Sequence, residues 1–223
     1  MPPEPSARPD RLLSAGDPAL APTRDPQRSR QRLVEARWTD ADMDAERDRV
    51  LELFDEHGEA LADRTTAPGH LTGSALVVDS TGERMVVLLH TKLRRWLQPG
   101  GHADGDHELA GVALREATEE TGIEGLRVLV PAVDLDVHAV DHGDALGEHL
   151  HMDLRFVVVA PPDAVIEGNH ESLALRWVSM EELEELADEA GLVRLAHAGL
   201  SRLGELPSTT AEDARSVGST EPA

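Results

Sequence analysis

GHADGDHELAGVALREATEETGI, residues 101–123, is the stretch from which the architecture of the chain is read. Ala110, Ala113, Leu114 and Ala117 recur at i, i+3, i+4 and i+7, so the spacing predicts a helix over 107–121, with Gly122 at its C-terminal cap. Glu116, Glu119 and Glu120 share one face beside that apolar stripe. Hard cations such as Mg²⁺ or Mn²⁺ take oxygen ligands and keep several waters, so a carboxylate cluster beside a cleft suits them when a substrate adds phosphate oxygens. Spacing alone does not decide the matter. Glu181, Glu184 and Glu185 repeat it and read as a solvated helix face. What separates the two clusters is context, because only the first follows Pro99-Gly100-Gly101, where glycine lets backbone approach a ligand.

Outward from this helix, Ala75–Asp79 and Met85–Leu89 are short apolar runs around Ser80–Glu83 and read as a hairpin. Two strands follow at about 126–140 and 148–160, then a short one at Leu173–Val178, then helices near 180–189 and 191–203. Upstream, Val50, Leu51, Phe54 and Leu61 fit a helix from Thr39 to Asp63, capped by Thr39 or Asp40. Its role is open between packing, a lid and a homodimer contact. Residues 1–36 are rich in Pro, Arg, Asp and Ser without periodicity, and 206–223 are similar, so both are expected to be disordered tails that add little to the folded site. The division is a tail at 1–36, an N-terminal helix at 37–66, the functional domain at 67–205 and a tail at 206–223. Strands in hairpins with helices between them fit an α+β domain with a mixed sheet.

Of 223 residues 40% are hydrophobic, yet Tyr is absent and Phe occurs twice, so the core must be built from Leu, Val and Ala. With 43 acidic against 21 basic residues the formal charge is -22, a field that repels extended DNA or RNA. No cysteine is present, which excludes disulfides, thiolate metal sites and cysteine nucleophiles. The first residues contain no apolar signal core and no run of 18 apolar residues occurs, so the expectation is a cytoplasmic protein with no membrane partner.

Gly101-x5-His107-x7-Arg115-Glu116-Ala117-Thr118-Glu119-Glu120-Thr121-Gly122-Ile123 resembles the Nudix box of MutT-like hydrolases at every specified position but one. The resemblance extends over roughly 70 to 190 and includes Trp177-Val178-Ser179 ahead of an acidic helix. It implies an α/β/α sandwich around a mixed sheet and a pyrophosphohydrolase that uses Mg²⁺ or Mn²⁺ to cleave the diphosphate anhydride of a small-molecule nucleoside diphosphate derivative. Glu116, Glu119 and Glu120 then look like metal ligands, Glu116 also orienting or deprotonating the attacking water. The Gly100 carbonyl is a further ligand, and Glu171, six residues before Trp177, matches a carboxylate that some members add. The departure is His107, where the family usually has a Glu that pairs with the box arginine, here Arg115; His107 or Glu108 is expected to brace it instead. A fold relative that only binds a ligand is the alternative, though such relatives usually lose box carboxylates. An isopentenyl diphosphate isomerase on this fold, as the resemblance implies, needs a cysteine.

Lys92, Arg94 and Arg95 precede the glycine loop and read either as phosphate binders or as an exposed strand end. Trp96 reads as a stacking surface or as packing, and His102, next to Gly101, as a phosphate contact or a loop residue. Asp134, Asp136 and His138 alternate on one strand, and His149, His151, Asp153 and Arg155 on the next. That wall is open to three readings: zinc site, substrate-pocket wall or solvated face.

Overall fold

The structure, a computed structural model, describes residues 9–38, 40–141, 148–168 and 172–206. Thirteen elements follow one another as β1 (Arg11–Ser14), α1 (Pro26–Glu35), α2 (Ala41–His57), β2 (Gly69–Val78), β3 (Met85–His90), β4 (Trp96–Leu97), β5 (Gly100–His102), α3 (Leu109–Thr121), β6 (Arg127–Asp141), β7 (Glu148–Val159), β8 (Ser172–Val178), α4 (Met180–Leu186) and α5 (Ala190–Gly204). The strands form one mixed sheet in the order β1-β6-β7-β2-β3-β4, with β5 on β2 and β8 on β3. Leu71, Ala75 and Val77 of β2 belong to a core shared with α3, and Leu76 and Val78 to a second core with α4 and α5. The sheet is therefore the middle layer of an α+β sandwich. Among the described residues no helix is long and apolar enough to cross a membrane.

Local signals act where expected. The side chain of Asp40 caps α2 through the Asp42 N–H at 3.0 Å, and Gly122 ends α3 in the left-handed conformation at φ 70°. The α2 helix itself stops at His57, and a 3₁₀ turn over Gly58–Ala62 replaces its expected last turn. The hairpin at 75–89 is real only at its turn. β2 and β3 share the single register pair Val78↔Met85 and then splay, β3 pairing with β8 and β2 running parallel to β7 over Gly69–Val78. Strand β4 pairs with β3 and β5 with β2, so residues 96–102 enter the wedge that the splay opens.

The disordered-tail reading of residues 1–36 is corrected for 9–36; residues 1–8 and 207–223 lie outside the described residues. Strand β1 pairs with β6 from Arg11↔Val130 to Ser14↔Arg127, and Leu13, Leu20 and Leu33 are buried in the α3-side core. Polar residues supply the rest of the attachment. Ser29 Oγ lies 2.8 Å from His107 Nδ1, Arg32 Nε donates to Glu108 Oε1 at 2.8 Å, and the His107 N–H donates to the Thr23 carbonyl at 2.7 Å. Composition hides this because the side-chain partners of Ser29 and Arg32 lie 76 to 78 residues away along the chain.

If the segment is part of the fold, Leu33→Ala should lower unfolding free energy by about 2–5 kcal/mol, as for other large-to-small core changes. Val34, 47% exposed, is the neighbouring control, and Val34→Ala should change stability by less than about 0.5 kcal/mol. Equal urea midpoints for the two variants would return the segment to the status of a tail.

Candidate active site

Helix α3 is seated on β2 through Gly73. A Cβ there would stand 2.8 Å from the Leu109 carbonyl, so any side chain would push the helix off the sheet. At the other end of α3 the glutamates meet β5. A Cβ on Gly101 would lie 2.6 Å from the Glu116 carboxyl group, and the Gly100 N–H donates to Glu120 Oε2 at 2.9 Å. Glu120 is buried at 8% exposure, Glu116 is half-buried and Glu119 is exposed. The three carboxylates thus grade from sheet to solvent along one helix face. Oxygen donors on the edge of a backbone loop are the set a hard divalent cation takes.

Arg115 approaches Glu116 at 3.2 Å and Asp106 at 3.8 Å. The expected brace from His107 or Glu108 is corrected, since both turn inward. His107 is fully buried, its Nδ1 on Ser29 and its Nε2 3.1 Å from the Glu59 carbonyl. A carbonyl facing Nε2 favours the ring proton there, and the single proton of the Ser29 hydroxyl is shared between Nδ1 and the His107 carbonyl, each 2.8 Å away. Burial pushes this imidazole below its usual range, which keeps it neutral. Glu108 is also fully buried and pairs with Arg32 and with Arg28 at 3.3 Å. Desolvation raises its carboxyl despite those guanidinium groups.

Lys92 and Arg94 sit exposed in the turn between β3 and β4, where the Arg94 N–H donates to the His90 carbonyl at 3.0 Å. Arg95 is ion-paired with Glu189. Trp96 is half-buried against the second core, with the Arg176 guanidinium 4.4 Å from its ring centroid. Glu171 lies outside the described residues. An open cleft of about 550 Å³ lined by Arg24, Glu59, Ala60, Asp63, Asp104 and Gly105 includes none of the three glutamates.

The alternating wall on β6 and β7 forms in register, Asp134↔Arg155, Asp136↔Asp153 and His138↔His151. A solvated face is excluded for its lower half: Asp134, Asp153 and Arg155 are 0, 3 and 4% exposed. Arg155 bonds Asp153 at 2.7 Å, Asp136 at 3.0 Å and Asp134 at 3.3 Å, while Arg194 from α5 reaches Asp134 at 2.9 Å and Asp136 at 2.8 Å. Asp153 also accepts from Thr72 at 2.9 Å and Ser74 at 2.8 Å. Burial raises Asp134, whereas Asp136 is held far below its ordinary value because the bond from His138 and the two guanidinium groups outweigh its own burial. Sequence reading missed Arg194, Ser29 and Arg32, and it missed His70, which β2 sets beside His151 of β7. Only the parallel pairing of β2 with β7 reveals that neighbour.

Comparison with known proteins gives a family model, the NUDIX domain, matching residues 69–197. No curated protein matches the sequence. Among solved structures, a C. elegans Ap4A hydrolase in a binary complex is 18% identical, with 60% of this chain and 97% of that chain covered and a TM-score of 0.52. A NUDIX-family hydrolase from Clostridium perfringens is 22% identical over 60% of this chain and 97% of that one, with a TM-score of 0.47. The first of these likenesses shows the fold.

His138 gives the wall a measurable titration. Its Nδ1 lies 2.7 Å from Asp136, which raises the imidazole above its usual value against the opposing effect of burial. A raised histidine contributes stability that is complete below the unfolded value of about 6.5 and is lost as pH rises through the folded one. Asp136→Asn removes the charge and keeps one acceptor oxygen in place of the two that Arg155 and Arg194 use separately, at Oδ2 and Oδ1. In metal-free protein the His138 midpoint, followed by NMR, should fall to or below about 6.5. An unmoved midpoint would mean that Asp136 does not set it.

Proposed function

This chain belongs to the Nudix family, and we propose that it is a metal-dependent hydrolase that cleaves a diphosphate linkage in a small phosphorylated metabolite. The observation that carries the reading is the meeting of α3 with β5. Two box carboxylates, Glu116 and Glu120, stand against the backbone of Gly100 and Gly101, where a single added Cβ would collide with one of them. Glu116, Glu119, Glu120 and the Gly100 carbonyl form an all-oxygen donor set, which fits Mg²⁺ or Mn²⁺ better than a softer ion. A cation held there would polarise a phosphoryl oxygen and lower the pKa of a bound water.

The residues of the chain have separable tasks in this scheme. In this reading Glu116, which pairs with Arg115 at 3.2 Å, orients the attacking water and accepts its proton. Glu120 ties the glycine loop to the helix through the Gly100 N–H, so the loop cannot drift from the carboxylates without losing that bond. Lys92 and Arg94, exposed on the neighbouring turn, are the cations left to attract substrate phosphates, Arg95 being committed to Glu189. Trp96 serves as packing under Arg176 rather than as a base-stacking surface. A ligand-binding module without catalysis is disfavoured, because all three box glutamates are present. Dinucleoside polyphosphates, sugar nucleotides and non-nucleotide diphosphates form the substrate panel to be assayed.

Turnover on that panel should vanish when metal is removed with EDTA and return with Mg²⁺ or Mn²⁺; full activity of stripped protein would sink the proposal. Glu120→Gln keeps an acceptor for Gly100 yet should cost orders of magnitude in turnover. Relief of like-charge repulsion, about 0.2–0.5 kcal/mol per pair, should slightly stabilise this variant without metal, and saturating metal should reverse the order of melting temperatures. Glu184, exposed on α4 and 3.4 Å from His197, is the control, and Glu184→Gln should show neither effect.

A further inference from the structure

On the sheet face opposite α3, histidines from three strands converge. His70 of β2 is in register with His151 of β7, and His102 of β5 is in register with Thr72, two residues along β2 from His70 and therefore on the same face. Ring centroids are 4.7 Å apart for His70 and His151, and 5.1 Å apart for His102 with each of the other two. One ring nitrogen from each residue lies within 4.8 Å of those of the other two. His70 is fully buried, and the other two are half-buried, so the group has a closed floor and an open side.

We propose that His70, His102 and His151 form a transition-metal site of the Zn²⁺ class, separate from the glutamate site on α3. Imidazole nitrogen suits zinc and its neighbours in the first transition row, whereas carboxylate and carbonyl oxygen suit Mg²⁺ and Mn²⁺, so the two sets select different ions. Tetrahedral zinc with Zn–N near 2.0–2.1 Å brings ligand nitrogens to about 3.4 Å from one another, so closing on an ion asks roughly 1 Å of movement from the imidazoles. Three imidazolium charges at the observed spacing would repel one another, whereas neutral rings offer lone pairs to a shared cation. Three protein ligands leave a fourth position for water or a substrate oxygen, the arrangement of an open rather than a purely structural zinc site. His138 stands beside the group, its ring 5.6 Å from that of His151 and its Nδ1 fixed by Asp136. The site also touches the glutamate loop through the chain, since His102 directly follows Gly101. Zn²⁺ binding by these imidazoles does not depend on hydrolysis at the glutamate site.

The test uses the full chain, stripped with a chelator and titrated with Zn²⁺ against a chromophoric competitor. One tight site per chain is expected, and it should persist in a Glu116→Gln/Glu119→Gln/Glu120→Gln triple variant. His102→Asn and His151→Asn should each weaken Zn²⁺ by at least about 100-fold, since even the partner of a ligand typically contributes about 10–100-fold. Co²⁺ in the wild-type protein should show the intense visible bands of a four-coordinate, nitrogen-ligated ion, a readout that needs no variant to fold. Loss of tight Zn²⁺ in the triple variant, unchanged affinity in both histidine variants, or a Co²⁺ spectrum of purely six-coordinate oxygen type would overturn the proposal.

Discussion

The closeness of α3 to the sheet is the constraint on which the site depends, and glycine backbone sets it. Gly73 admits the Leu109 carbonyl, Gly101 admits Glu116, and Gly100, whose Cβ would fall 2.2 Å from Ser74 Oγ, lies flat on β2. Any Cβ at these positions would have to displace backbone, the Ser74 side chain or the Glu116 carboxylate. Because β2 and β3 splay after a single register pair, β5 can enter the sheet where those glycines are needed. A plain hairpin would leave no room for it. Sheet topology and carboxylate placement are thus one problem with one solution.

The departure at position 107 has a structural counterpart in the N-terminal segment. A glutamate that paired with Arg115 would face the site, whereas His107 faces Ser29 and the Glu59 carbonyl and joins α1, the 3₁₀ turn and the start of α3. Glu108 makes the same inward turn toward Arg28 and Arg32. Buried pairs of this kind add little net stability over an apolar replacement, yet losing one partner costs about 3–5 kcal/mol because the other charge is stranded. Their effect is to fix where α1 sits. Arg115 is left with Asp106 and Glu116, so its neighbours are acidic even without the usual glutamate.

The sequence made local features legible and left distant ones hidden. The α3 stripe, its Gly122 cap, the strands at 127–141 and 148–159 and the acidic face of α4 follow from spacing within one element, and the structure has them. The box glutamates stand apart from Glu181, Glu184 and Glu185 in the sequence because a glycine loop and an arginine stand at fixed distances from them. What failed were inferences needing two distant segments at once. Residues 9–36 look too polar to fold because the charged and hydroxyl groups of Arg32 and Ser29 pair with Glu108 and His107, far along the chain. His70 looked like any histidine until β2 lay parallel to β7.

The same distinction divides the β6–β7 wall. Its acidic half was a reasonable place to look for a cation, but Asp134, Asp136 and Asp153 each accept from Arg155, and two of them also from Arg194. Arg155 is 4% exposed and needs those carboxylates where water cannot reach it. A metal drawn to the aspartates would have to strand that guanidinium, at the cost of several kcal/mol that breaking a buried pair carries. Desolvation therefore rules the acidic half out as a cation site even though it holds the greater negative charge. A cation entering this wall is directed to the imidazoles, where ligation displaces no buried counter-charge of Arg155.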